Sequence, residues 1–218
     1  MLDISIKMGK LPKIRVGKFW IALENEGQDG YLPYITVKSK EIIQISGIGY
    51  FRSNKLVGHT KPYQIAYLNG LIEHNPGGST AVIKITENET VQFQSTKRKS
   101  NYEVTLKNGK PHFNISVEIT GNITGKNGNN INLNDNSTIK RIESIAQKSF
   151  KVEFEKFIKE TQEKQSDILG FGEYVRAKLR NYWDKEIRTS DKWREIYKDV
   201  TVDVKVKVKI KEVGLKAK

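Results

Sequence analysis

Cysteine is absent from the 218 residues, which removes disulfides, thiolate catalysis and every cysteine-based metal site together. The absence leaves the compartment open, because a cysteine-free extracytoplasmic domain is as workable as a cytosolic one. Long apolar runs are missing too, the longest being only a few residues, far short of the roughly 20 that a membrane-spanning helix needs. Met1-Leu-Asp-Ile-Ser-Ile-Lys7 does not follow the basic-then-apolar pattern of a secretory signal. Histidine is scarce: His59, His74 and His112 are separated by loops beside Gly58, Asn75 and Pro111, with no His-Glu-x-x-His spacing, and read as surface residues rather than metal ligands. No serine lies in a Gly-x-Ser-x-Gly elbow. The glycine-rich stretches at 75–78 and 121–128 lack the Gly-Lys-Ser/Thr ending and the strand-to-helix setting of phosphate loops. The expectation is a protein that is not an enzyme, with no catalytic, cofactor-binding or metal-binding residue.

What is present fits a globular chain. Apolar residues make up 37% and charged residues 29%, enough for one large domain or two small ones. The formal net charge is +13, divided as +5 over residues 1–70, +1 over 71–135 and +7 over 136–218. Basic residues are thus spread over two regions and interleaved with acids, whereas a nucleic-acid binder more often shows a basic stripe with stacking aromatics. A solvated lysine-rich surface is the plain reading, and attraction to an anionic membrane surface is one use of it.

Along the chain, residues 1–40 read as an extended arm punctuated by Pro12 and Pro33. It carries a short helical candidate, Phe19 to Glu24, in which Trp20 packs on the protein body, and a turn at Gly27-Gln-Asp-Gly30. Residues 41–88 read as a small strand-hairpin-helix-strand domain: one strand over 42–46 and 48–51, a turn at 52–55, a return at Leu56-Val57, a helix capped by Thr60 that ends at Asn75-Pro-Gly-Gly78, and another strand at Ala81–Ile85. Residues 89–218 read as a C-terminal α+β domain. Its clearest feature is a hairpin in which Tyr102–Leu106 and Phe113–Ile119 alternate around Asn108-Gly109, the pair that a type I′ turn favours. A strand at 90–94 precedes it and a polar loop from Gly121 to Asn136 follows. A long helix then starts near Asn136 with the stripe Ile139, Ile142, Ala146, Phe150, Phe154, Phe157 and Ile158. The fold class is α+β: two small units, each an antiparallel or mixed sheet covered by helices on one face. In the larger unit, the strands near 90–119 and 200–213 share a sheet under the helix at 138–164.

The C-terminal third carries the strongest patterns. From Val200 to Lys211 apolar and polar residues alternate without a slip, the mark of a strand with one buried and one wet face. Lysines on the wet face guard an exposed strand against pairing with another chain. Before it, Ser166-Asp-Ile-Leu-Gly-Phe-Gly-Glu173 opens a second helix that runs to about Asn181, capped by Ser166 or Asp167. Two glycines in a helical pattern cost about 1 kcal/mol each relative to alanine, so something compensates. Either the helix packs closely around Phe171, or Gly170, Phe171, Gly172, Tyr174, Tyr182 and Trp183 form a contact surface for a partner chain.

These motifs resemble the Ger(x)C family, the lipoprotein subunits of spore nutrient-germinant receptors. The resemblance rests on Ser166–Glu173, Tyr182-Trp183, Trp193 and the strand ending Val213-Gly-Leu215. It rests also on Ile45-Ser-Gly-Ile-Gly-Tyr-Phe-Arg-Ser-Asn-Lys-Leu-Val-Gly58 and on Leu32-Pro-Tyr-Ile35, and it runs from roughly Ile14 to the end. It implies a non-enzymatic receptor subunit needed for receptor assembly and germination, with membrane-embedded subunits of the A and B types as partners. It further implies a place on the outer face of the spore inner membrane, through a lipid anchor outside these residues. The expectation is therefore a truncated ectodomain of a lipid-anchored parent. A cytosolic basic nucleic-acid-binding module is the alternative reading.

Overall fold

The computed structural model describes residues 11, 14–39, 42–72, 78–128 and 130–214. Helix α1 (Val16–Glu24) packs through Phe19 and Ala22. It leads into strands β1 (Tyr31–Ser39), β2 (Ile42–Arg52) and β3 (Lys55–His59), an antiparallel sheet in that order. Trp20 is 59% exposed, contrary to the expected packing: its neighbour Phe19 takes the inward position against Phe51, with ring centroids 4.9 Å apart, and the next helical residue turns away from it.

A 3-10 turn at Pro62–Gln64 runs into α2 (Ile65–Leu71). The Gln64 side chain, not Thr60, closes this end by accepting from the Lys61 amide at 2.7 Å. Thr60 instead accepts from the Ile48 amide through Oγ1 at 2.9 Å, fastening β2. The predicted stop at Asn75-Pro-Gly-Gly78 falls mostly outside the described residues.

The second sheet is mixed, in the order β4 (Thr80–Lys84), β5 (Thr90–Lys107), β6 (Lys110–Asn127) and β7 (Thr201–Val213). Asn108 and Gly109 have φ of 53° and 73°, as the primed turn requires. β6 runs on to Asn127, through residues expected to be loop. At Gly121 a Cβ would lie 2.4 Å from Cζ of Phe93, so the Phe93 ring fills the place of the missing side chain while Ile119 and Ile123 stay buried on either side.

β7 pairs parallel to β6, which demands a crossover. The crossover is helical: α3 (Asn136–Glu163), α4 (Phe171–Lys178), a turn at Arg180–Tyr182 continuing as a π-helical turn at Trp183–Ile187, and α5 (Ser190–Tyr197). Asp135 caps α3 by accepting from the Ser137 and Thr138 amides, and Ile142, Ala146, Phe154, Phe157 and Ile158 face inward as the stripe predicts. The single helix expected to run to Asn181 is broken instead at Leu179, whose φ of −121° and ψ of 49° leave the helical region. On β7, Val204, Val208 and Ile210 are buried while every lysine is exposed.

The pairings cross both expected boundaries. β1 pairs with β2 across residue 40, and β4 with β5 across residue 88. The strands divide into two sheets, over 31–59 and 80–213, but one core cluster holds Ile48 and Leu68 together with Phe93, Phe113 and Phe154.

Candidate functional site

Two glycines let separate stretches of chain touch. Gly27 follows α1 and Gly172 opens α4; a Cβ on Gly172 would stand 2.5 Å from Trp193 Nε1 and 2.6 Å from Gly27 Cα. The backbones join there, the Glu173 amide donating to Gly27 O at 3.1 Å and the Gly27 amide donating to Glu173 Oε1 at 3.0 Å. Gly170 lies just before the helix with φ of 76°, a left-handed position that glycine takes without Cβ strain. The predicted helical pair is thus one turn glycine and one contact glycine. Close packing accounts for Gly172, and the left-handed backbone accounts for Gly170.

Behind the glycines lies a buried polar node. Asp167 is fully buried. Its Oδ1 accepts from the Gly170 amide at 2.8 Å, and its Oδ2 accepts from the Gly172 amide at 2.8 Å and from Trp193 Nε1 at 2.9 Å. Burial pushes its carboxyl up to about 7, against the downward pull of N–H donors from Gly172, Trp193 and Phe171.

Asp29, 2% exposed, answers from the N-terminal side. Its amide donates to Asp167 O at 2.9 Å, and its Oδ2 accepts from the Asp167 amide at 3.0 Å. Oδ1 accepts from Arg194 Nε at 3.0 Å, from Arg194 Nη2 at 2.8 Å and from the Ser53 amide at 3.3 Å. Burial works against the Arg194 charge, but the hydrogen bonds and charges of Asp29 and Asp191 outweigh it and hold the guanidinium above its ordinary value. Ser166 Oγ donates to Phe51 O at 2.5 Å. The node therefore ties the first sheet to α4 and α5 at one place.

Of the residues singled out in the sequence, Gly170, Phe171, Gly172 and Trp183 are buried, whereas Tyr174 and Tyr182 are half-buried. Phe171 stacks on Phe113 with centroids 4.3 Å apart and meets Tyr102 and Tyr197 edge-on. Trp183 packs beside Trp193 at 6.1 Å. Tyr174 stacks on Tyr102 at 5.0 Å. Only the two tyrosines retain a surface that another chain could touch directly.

Asp29 and Arg194 were not singled out, and nothing local marks a pair 165 positions apart. A signal for Asp167 did exist: an aspartate three residues before a glycine is a common way to satisfy a turn amide. Histidine placement also differs from expectation, because His112 is buried, with Nδ1 2.7 Å from Thr201 Oγ1 and Nε2 3.3 Å from Asp203 Oδ2. Its position on β6 opposite Thr201 of β7 encloses it. His59 stacks on Tyr34 at 4.3 Å, and His74 lies outside the described residues. Among the described residues no three His, Cys, Asp or Glu converge as metal ligands, and no helix is long and apolar enough to cross a membrane.

Residues 46–214 match the family described as Spore germination B3/GerAC like, C-terminal. The chain is 24% identical over 217 residues to spore germination protein GerQC of Bacillus cereus, covering 99% of this chain and 58% of that protein. It is 25% identical over 222 residues to spore germination protein B3 of Bacillus subtilis (strain 168), covering 98% of this chain and 57% of that protein. It thus spans a little over half the length of these relatives. In fold it is similar to the crystal structure of the GerBC protein, with a TM-score of 0.75 at 23% identity, over 91% of this chain and 61% of that one.

Proposed function

The chain belongs to the spore germination B3/GerAC-like family through that family's C-terminal region, and on this premise we propose that it is part of a non-enzymatic subunit of a spore nutrient-germinant receptor, acting in receptor assembly and germination. The partners in this reading are membrane-embedded subunits of the A and B types. The location is the outer face of the spore inner membrane, reached through a lipid anchor on the parent protein.

One observation carries the reading. The residues behind the family resemblance, Ser166 to Gly172 and Trp193, are bound into a buried node that joins the first sheet to the C-terminal helices. A carboxylate satisfied by fixed N–H donors supports rigidity, and a scaffold that must present a constant face to its partners needs rigidity.

The test is made in a spore-former carrying the full-length gene. Deleting the gene should abolish or sharply slow germination with the cognate nutrient and lower the amount of the partner subunits, and restoring the gene should reverse both. Normal nutrient germination in the deletion strain would exclude the reading. A germination defect with unchanged partner levels would remove assembly from it.

A further inference from the structure

Strands β5, β6 and β7 turn one face to the helices and leave the other open. On the open face the strand register sets rows across the sheet: Lys97, Thr120, Lys209; then Lys99, Glu118, Lys207; then Asn101, Ser116, Lys205. Lys211 continues the β7 column, and all six lysines are exposed. Adjacent strands lie about 4.8 Å apart, which puts the β5 and β7 columns about 10 Å apart across β6, close to the screening length at physiological salt. The six charges therefore act as one field, with Glu118 as the carboxylate inside the rows. Glu103 and Asp203 border it in the next row, and Glu212, hydrogen-bonded to Asn122, closes the other end.

Protection of a sheet edge does not account for this array. The outer edge of β7 is already occupied by α3, where Gln147 Oε1 accepts from the Val208 amide at 3.2 Å and Glu143 Oε1 accepts from the Ile210 amide at 2.8 Å. Lys97 and Lys99 stand on β5 beyond Gln94, where its pairing with β4 ends, so an unpaired edge lies beside these two and not beside the four lysines of β7. Four lysines recur at every second position of β7, and Glu118 is the one carboxylate set between lysines in the rows, so the face keeps a net positive charge that its own neighbours offset only in part. The lysines on α3 differ: Lys151 and Lys156 are interleaved with Glu155 and Glu153 as ion pairs.

We infer that this lysine face docks the protein on an anionic phospholipid surface. The type of cation selects the partner. Every cation in the rows is lysine, a hydrated point charge, and the one arginine of this stretch, Arg98, is turned inward and 9% exposed. Bidentate reading of bases or of fixed phosphates favours arginine, and binding of single strands uses aromatic platforms. The rows contain neither, offering only threonine, serine and asparagine between the charges. A fluid surface of mobile anionic headgroups asks for charge density without directional pairing. The inference stands independently of the receptor reading.

The experiment is sedimentation of the 218-residue chain with phosphatidylcholine vesicles, either neutral or containing about one third phosphatidylglycerol, each basic residue near such a surface adding about fivefold in affinity. Binding should appear with the anionic vesicles only and weaken as salt is raised. Replacing Lys99, Lys205, Lys207 and Lys209 by Gln should reduce it more than tenfold. Replacing Lys140, Lys148, Lys159 and Lys164 on and after α3 by Gln, which removes the same charge, should leave most of it. Both variants should melt like the parent. The inference is overturned if the parent ignores anionic vesicles, if it binds neutral ones equally, or if the α3 variant loses as much as the sheet variant. Duplex DNA displacing the protein from anionic vesicles at equal phosphate concentration would overturn it in favour of a nucleic-acid partner.

Discussion

Arg194 reaches Asp29 across 165 positions of sequence and places Nε and Nη2 at 3.0 and 2.8 Å from a single carboxylate oxygen. Both side chains are nearly inaccessible, at 7% and 2% exposure. In such a place removing Arg194 strands Asp29 in a poorly solvated interior, and removing Asp29 leaves the buried guanidinium with only the exposed carboxylate of Asp191, 2.8 Å from Nη1. Asp29→Asn and Arg194→Met should therefore each destabilise the protein by about 3–5 kcal/mol. The double variant should cost clearly less than the sum, because the second change removes the stranded charge. Denaturant unfolding of the four proteins checks this; additive losses would mean that the pair is not a coupled unit.

Three glycines separate space from backbone conformation. Gly172→Ala meets Trp193 Nε1 and Gly27 Cα at 2.5 and 2.6 Å, and a clash between backbones in the core should cost about 1–3 kcal/mol. Gly109→Ala meets nothing within 4 Å but sits at φ of 73°, so it should lose about 1–2 kcal/mol through strain alone. Gly17→Ala, inside α1 with open space around it, should gain up to about 1 kcal/mol. Thermal melts should rank the three in that order.

The two faces of β7 make the same kind of contrast. Val208 is 4% exposed beneath α3, and Val208→Asp puts an unpaired carboxylate into the core, so the protein should unfold or lose most of its stability. Lys207, next to it on the wet face, should tolerate Glu with a change within about 0.5 kcal/mol. Similar melting losses for the two would contradict the facing assigned to the strand.

These alternations were legible because a strand with one wet face repeats every two residues wherever it lies, and Asn108-Gly109 declares its turn in two positions. The long stripe of α3 was legible for the same reason. The node was not: a sequence records neither which turn meets which helix nor that Gly27 and Gly172 share one contact. The polar tract after Gly121 misled in the other direction. Its asparagines and glycines suggest a loop, yet they continue β6 because the strand lies against β5 and the Phe93 ring covers Gly121. Trp20 shows a further limit, since a helix with several large apolar residues does not say which of them faces the core.

Asp167 gives the fold a pH signature. Its carboxyl is raised to about 7, chiefly by burial. A group whose folded value lies above its unfolded one, near 4, binds its proton more tightly in the folded state. Its contribution is complete below about pH 4 and is lost as the pH rises through about 7. The parent should thus hold its largest stability advantage over Asp167→Asn, which cannot titrate there, near pH 4, and the advantage should shrink toward pH 8. An advantage that widened with pH would show that the three N–H donors on the carboxylate outweigh its burial.

Tyr182 and Trp183 are neighbours with opposite expected roles. Trp183 is 3% exposed and packed against Trp193, so Trp183→Ala should cost about 3–5 kcal/mol and fail in the isolated chain. Tyr182 is half-buried and lines a shallow cleft with Lys110, Lys192 and Glu195. Burial of its ring and the nearby Glu186 raise its phenol above the ordinary value, so at neutral pH it is an un-ionised amphipathic side chain, the kind that anchors protein interfaces. If this end of the crossover meets a receptor partner, Tyr182→Ala should leave the melting temperature within a few degrees of the parent. The same change in the full-length protein should lower partner-subunit levels and slow nutrient germination. Tyr174→Ala is the companion variant, with some stability lost as well because its ring stacks on Tyr102. Normal germination with both tyrosines replaced would move the interface away from these helices and leave the motif around Gly172 a purely internal one.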